Sequence, residues 1–346
     1  MAGRERRPYG RVRRTRAAQG PAPLRRNRRR TPRRDLWVLL AVVLLSSLVV
    51  AAIFLWYRER PAETATLTAV DRPASEKPPE PPVPPARVRA VEELDEELRV
   101  ISEAHTGTHG VVVFDLYSGE SASLNADRRF VAASLSKLYA LLTLYRAASR
   151  GELSLDDEIT MRASDVWAEG TGVLYSYPVG TTMTLRECAR FLIKESDNTA
   201  EVMLNRYLGE EEIEAELGRI GARSTSYWMP NTTTPNDVLL VLKAIADPSY
   251  TSPELSAEML DVMTGTAFED RLPQPLPEGT RVAHKIGSYE STFSDAGIVF
   301  SAESGGTDQE YYIVVFSEGA TEGEARQTIQ EVSLAAYRAL VAPETR

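Results

Sequence analysis

The stretch SLSKLYALLTLY (residues 134–145) decides how the chain is read. Beyond Lys137 it is almost wholly apolar, and Leu138, Leu141, Leu142 and Tyr145 recur at spacings of three and four, which predicts a helix with one face turned to a core. At its start Ser134 stands three residues ahead of Lys137, so hydroxyl and amine share a helical face. A serine hydroxyl is a poor nucleophile near neutral pH. A lysine desolvated in a cleft can lose its proton and serve as the activating base. By itself the pair is weak, because about one Ser-x-x-Lys is expected by chance in a chain of this length.

Working outward, Val111–Tyr117 (VVVFDLY) reads as a buried strand, and Ser118-Gly119 opens a turn toward a second. Ahead of it Val91, Leu94, Leu98 and Ile101 form the stripe of an amphipathic helix. From Ser134 to about Ala215 the pattern is mainly helical. Strand signals return only at Arg281–Ser288, Asp295–Ser301 and Tyr311–Ser317, before a closing helix, Glu324–Leu340. A strand-rich portion assembled from both ends thus brackets a helical insertion, which implies an α/β lobe and an α lobe with a cleft between them. No internal repeat is present.

The chain has 346 residues, 43% hydrophobic, with a formal charge of −9, which excludes disorder throughout. The charge is divided: residues 1–35 hold 14 arginines and two acids, so the remainder is strongly acidic. Leu36–Tyr57 is 22 residues without a charge, roughly 33 Å of helix and enough to cross a bilayer. The run is longer than a secretory signal's apolar core and ends in Trp56, Tyr57 and Arg58, so an uncleaved anchor is expected. The basic arm before it stays in the cytoplasm by the positive-inside rule, and orienting the span explains the arm better than nucleic-acid binding does. Residues 58–90 hold eight prolines and read as an extended linker. The expected organisation is a basic cytoplasmic arm (1–35), a transmembrane helix (36–57), a proline-rich linker (58–90) and an extracytoplasmic domain (91–346) of a single-pass cell-membrane protein.

Two further motifs support Ser134 and Lys137. Ser196-Asp197-Asn198 follows the helical run Leu185–Glu195; its serine can relay a proton to a leaving nitrogen, and its asparagine can hold Lys137 and a substrate carbonyl. His284-Lys285-Ile286-Gly287-Ser288 reads as a strand, where Lys285 offers a positive charge to a substrate carboxylate and Gly287 lets substrate backbone approach the edge. The N–H groups of Ser134 and Ser288 are candidates for an oxyanion hole.

In order and spacing (62 residues from Ser134 to Ser196, 89 more to Lys285) the set resembles the SxxK, SDN and KTG motifs of class A β-lactamases and penicillin-binding proteins. Met183–Glu187 leading into SDNTA, Gly151–Leu155, Thr232–Pro235, Val282–Lys285 and Asp295–Val299 look like the same family, and the resemblance covers about residues 95–341. It implies an α/β fold with an antiparallel sheet flanked by helices plus an all-α lobe. It also implies acylation of Ser134 by a β-lactam or a D-alanyl peptide of peptidoglycan, with no cofactor and no metal. Lys137 would be the base, Ser196 the relay, Asn198 and Lys285 the orienting groups, with Gly287 and Ser288 at the substrate and oxyanion side.

Two departures matter. In class A enzymes an Ω-loop glutamate between SDN and the TTTP segment activates the water that hydrolyses the acyl-enzyme. Here Ala222–Asn231 contains no acid, and the glutamates at 210–212, 214 and 216 read as a solvated helix face. Slow deacylation is therefore expected. Ile286 replaces the family's Thr or Ser and removes a hydroxyl for the substrate carboxylate, a loss of about 1.5–3 kcal/mol unless Ser288 compensates. The rival reading is a catalytically silent envelope-binding protein that keeps the fold. Other candidates read as structure: Cys188 as core, His105 and His109 as capping or surface, and Gly170–Tyr175 as a rim of the cleft.

Overall fold

The computed structural model describes residues 84–228, 230–300 and 308–341. The basic arm, the candidate span and residues 58–83 of the linker lie outside these. Among the described residues no helix is long and apolar enough to cross a membrane.

A five-stranded antiparallel sheet in the order β2-β1-β9-β8-β7 is built from both ends of the domain. Its strands are β1 (Thr108–Asp115), β2 (Ser121–Leu124), β7 (Val282–Tyr289), β8 (Thr292–Phe300) and β9 (Gln309–Glu318), while β3 (Phe130–Val131) pairs separately with β6 (Thr232–Thr233). Val111, Val113, Ile313 and Val315 face α1 (Pro85–Ala104) and α8 (Glu322–Leu340), whereas Val112, Val314, Phe316 and Ala296 join the core of the helical lobe. Burial on both faces is why β1 and β9 read as unbroken apolar runs. α1 starts at Pro85, inside the stretch expected to be linker: a proline at the first helical position has no N–H to lose and a φ already suited to the turn. β1 ends at Asp115, two residues short of the expected Tyr117, which is exposed.

The helical lobe surrounds α2 (Ser136–Ser149), which is buried from Ser136 through Tyr145. Around it lie α3 (Leu185–Lys194), α4 (Asn198–Leu208), α5 (Glu210–Ile220), α6 (Pro235–Ala246) and α7 (Pro253–Val262). The expectation of a mainly helical run from Ser134 to Ala215 needs correction between α2 and α3. Residues 150–184 form turns, two short 3-10 segments and a small hairpin of β4 (Glu158–Thr160) and β5 (Thr182–Thr184). Gly151, Gly170, Gly172 and Gly180 all take positive φ there, incompatible with a continuing helix. α3 begins where Thr184 and Glu187 cap each other reciprocally.

Glu216 also departs from the solvated reading. It is buried, paired with Arg219 and bonded by the Tyr250 hydroxyl. Glu210, Glu211 and Glu214 are exposed as expected. Glu214 nevertheless accepts the Tyr227 N–H at 2.6 Å, so it fastens the segment Ala222–Asn231 to α5.

The sheet meets the lobe closely at Gly110, where a Cβ would lie 2.3 Å from the Phe130 ring, itself stacked on Phe316 at 5.0 Å between centroids. Neither ring has room to retreat, since both are buried. Gly110→Ala is therefore expected to destabilise the domain by about 1–3 kcal/mol, read as a lower urea midpoint at unchanged slope.

Candidate active site

Ser134 lies in a 3-10 turn, Ala133–Leu135, that leads directly into α2, and Ala133 enters it with φ 48°. Ser196, between α3 and α4, has φ 51°. Such backbone in a residue with a side chain costs on the order of 1 kcal/mol and persists only where the surroundings enforce it. Here the enforcing groups are visible. Asp197 caps α4 by accepting the Ala200 N–H at 2.9 Å, and its other oxygen accepts the Val173 and Leu174 N–H groups at 2.6 and 2.8 Å. A Cβ on Gly172 would lie 2.4 Å from that carboxylate, so only glycine admits the contact. The segment expected to rim the cleft thus clamps the SDN turn.

Lys137 is fully buried and joins the motifs. Its Nζ donates to Ser134 Oγ at 3.1 Å, to the Ser196 carbonyl at 2.6 Å, to Ser196 Oγ at 3.3 Å and to Asn198 Oδ1 at 2.6 Å. Asn198 Nδ2 in turn donates to the Glu169 carbonyl at 2.8 Å, which fixes the amide's orientation. Lys285, on β7, donates to Ser196 Oγ at 2.9 Å and to the Ile286 carbonyl at 2.8 Å. The Ser196 hydroxyl is therefore flanked by two amines from opposite lobes. Burial lowers the pKa of Lys137 against the opposing pull of Glu201 and Asp197. Lys285 is driven well below the ordinary lysine value by burial and by the charge of Lys137. Ser134 itself is only partly covered, so a reactant can reach it.

All five expected polar side chains, those of Ser134, Lys137, Ser196, Asn198 and Lys285, thus share one pocket. Gly287 also borders it, and its lack of a side chain matters to the packing. A Cβ there would lie 2.9 Å from the Ala132 carbonyl and 2.6 Å from Ser294 Oγ, so the missing side chain lets β7 approach the turn that carries Ser134. Ser288 is exposed at the mouth, where its Oγ accepts from Arg271 at 2.6 Å.

Two residues escaped the sequence reading. Arg271 is buried and also donates to the Gly287 and Ser294 carbonyls at 2.8 and 2.6 Å, which puts a guanidinium behind Ser288 beside Ile286. Glu201, three residues after Asn198 on α4, holds Oε2 3.5 Å from Lys137 Nζ and accepts from Ser136 Oγ at 3.0 Å. The i, i+3 spacing from Asn198 was the signal available.

His109 and Cys188 are core groups; the first corrects the surface reading, since it is buried on β1 with Nδ1 2.9 Å from Ser102 Oγ. His105 ends α1 and meets Glu331 at 2.8 Å. Among the described residues no cluster of three or more His, Cys, Asp or Glu has metal-binding geometry.

His284, next to Lys285, bonds Asp295 at 2.9 Å through Nδ1 and Glu269 at 3.2 Å through Nε2. Burial alone would lower its pKa, but the two carboxylates raise it to about 9. A raised folded-state value stabilises the fold fully below the free imidazole's pKa of about 6.5 and loses that contribution as pH rises through about 9. The unfolding free energy from urea melts is expected to fall over that window by about 3 kcal/mol, and His284→Asn should flatten the slope.

The sequence profile of the beta-lactamase enzyme family matches residues 93–340. A β-lactamase of Amycolatopsis lactamdurans is 32% identical over 154 residues, 43% of this chain and 49% of that enzyme, so the match spans about half of the relative. β-Lactamase CARB-4 of Pseudomonas aeruginosa is 25% identical over 216 residues, 57% of this chain and 73% of CARB-4. Among solved structures, a mutant of PBP-A captured as its acyl-enzyme complex with penicillin G superposes with a TM-score of 0.67 at 27% identity, covering 72% of this chain and 96% of PBP-A. A β-lactamase of Sphaerobacter thermophilus superposes with a TM-score of 0.64 at 29% identity, covering 71% and 97%. The profile match extends over most of the chain and takes in every motif gathered around Lys137, and the chain therefore belongs to the beta-lactamase enzyme family.

Proposed function

We propose that the domain is a serine hydrolase that forms an acyl-enzyme with β-lactams or D-alanyl peptides, releases it slowly, and is held at the outer face of the cell membrane by residues 36–57. The observation that carries the reading is Lys137 Nζ at 3.1 Å from Ser134 Oγ with Ser196 and Asn198 around it. In the proposed reaction Lys137, as the amine, takes the Ser134 proton while Oγ bonds to the substrate carbonyl carbon. Collapse breaks the carbonyl carbon–nitrogen bond, and the Ser196 hydroxyl gives its proton to the leaving nitrogen and is reprotonated by a neighbouring lysine. Ser134 and Ser288 N–H groups are the proposed oxyanion donors. Lys285, Ser288 and Arg271 supply charge and hydrogen bonds for a substrate carboxylate in place of the hydroxyl that Ile286 lacks.

Slow release is supported by what the neighbourhood holds. Ala222–Asn231 has no acid. Glu214, which touches that segment, is occupied by the Tyr227 N–H, and the Glu201 oxygens face Lys137 and Ser136. PBP-A, whose mutant was trapped as a penicillin adduct, is the kind of protein this reading resembles.

A fluorescent penicillin is expected to label the wild type covalently and to leave Ser134→Ala unlabelled. The label should persist for minutes; loss within seconds would overturn the slow step. Absence of label on the wild type would favour the envelope-binding alternative. For the anchor, the full chain should fractionate with membranes and a chain beginning at Pro84 should not, with the domain digested by protease added outside intact spheroplasts.

A further inference from the structure

Arg271 reaches the mouth of the pocket from residues 266–272, a stretch between α7 and β7 that belongs to neither helix nor strand. A histidine ring ties that stretch to the sheet on both sides of the arginine. His284 is wholly buried on β7, and its partner across the ladder is Gly297 of β8, where a Cβ would lie 2.7 Å from the His284 Cβ and crowd the ring. Nδ1 bonds Asp295 at 2.9 Å, and Nε2 bonds Glu269 at 3.2 Å. Carboxylates only accept, so the ring satisfies both partners when both of its nitrogens carry hydrogen. Glu269, two residues before Arg271, also accepts the Thr266 N–H at 2.6 Å, while Asp295 accepts the N–H of Leu272, the residue after it, at 3.1 Å. From α8, Gln330 donates to the Asp270 carbonyl at 2.8 Å and Ser333 to the Leu272 carbonyl at 2.7 Å. The arginine is thus fixed at its base and free to point its guanidinium at the Gly287 and Ser294 carbonyls and at Ser288 Oγ.

We infer that His284 is a positioning residue for Arg271, holding the chain on either side of it through Glu269 and Asp295 and so setting how strongly the site prefers acylating agents that carry a carboxylate. This rests on the acyl-enzyme reading and on the carboxylate contact proposed for Arg271 and Ser288. The role has two parts. Geometrically, losing the ring releases residues 266–272 from β7 and β8, and a guanidinium carried on a looser base meets a carboxylate less often in the bonding arrangement. Electrostatically, the charge of Asp295 already acts on Arg271, and the His284 imidazolium offsets it. Without that cation Asp295 is a buried carboxylate lacking its partner, and the nearby guanidinium is the group it would draw away from Ser288. His284 faces away from Ser134, so it touches neither the reacting carbonyl nor the substrate's carboxylate and acts through Arg271 alone.

Second-order labelling rates of the full chain with a fluorescent penicillin and with the methyl ester of its carboxylate, measured at one neutral pH, read the preference directly. The ester keeps the β-lactam ring and removes only the negative charge. Wild type is expected to react about tenfold or more faster with the acid than with the ester. His284→Asn, which keeps a donor for Asp295 but is too short for Glu269, should lower that ratio about fivefold. Glu269→Ala changes an exposed side chain and leaves the buried His284–Asp295 pair in place, so it tests the same anchor if the asparagine variant does not fold; a fall of about two- to threefold is expected. Equal falls in both rates, with the ratio kept, overturn the inference, because general loosening of the pocket slows acid and ester alike. A wild type that labels but does not distinguish acid from ester overturns it as well, together with the carboxylate contact of Arg271. If the wild type takes no label from either, the acyl-enzyme reading falls and this role falls with it. A selective wild type whose variants stay equally selective sinks this role alone.

Discussion

An ammonium group with no access to water is the constraint on which the rest of this site depends. Burying such a charge costs several kcal/mol unless it is paired and hydrogen-bonded. Lys137 meets that condition with oxygens from α2's entry turn, the SDN turn and α4, so the lobe's packing and the arrangement of reactive groups are one problem with one solution. The same burial lowers the affinity of the lysine for its proton, which makes a structural cost into a chemical property. Strain follows the same logic. Ala133 and Ser196 are two of four non-glycine residues with positive φ among those described, and both flank this lysine.

The two lobes contribute unequally. The helical lobe holds Ser134, Lys137, Ser196, Asn198 and Glu201, while the sheet, whose other face rests on the terminal helices, presents Lys285 from its edge strand β7. Gly287 sets how near the two come. Movement of β7 away from the entry turn would part Lys285 from Ser196 while leaving the Lys137 cluster whole. The pocket therefore has a rigid half, bound by the buried charge, and a half whose distance is set by packing.

Much of this was legible in the sequence wherever the information was local. β7, β8, β9 and α8 lie within two or three residues of the expected bounds because alternation and apolar runs are short-range signals. The reactive groups were legible because each motif is a few residues long. What failed was information carried by distant partners. Lys137 reads as a lysine in a cleft, but the groups that complete its burial lie about 60 positions away and could not be named from its own neighbourhood. Glu216 and His109 look like surface groups until Arg219, Tyr250 and Ser102 come to meet them. Arg271 lies outside every motif and reaches the site only through the fold, and Glu201 stands just beyond a motif that seemed complete. Residues 150–184 mislead because their glycines are spread too thinly to outweigh the apolar residues among them.

One contact far from the pocket has a consequence for how the domain can be carried. Arg87, one turn into α1, pairs with the buried Asp115 at 2.6 Å and also donates to the carbonyl of Leu340, the last residue of α8. The first and last helices therefore close on each other against the sheet face turned away from the reactive pocket. A domain joined at its own seam in this way can hang from a tether or be spliced into a longer polypeptide with both attachments on the blind side, and traction on either end is borne by an ion pair and a backbone bond before it reaches the cavity.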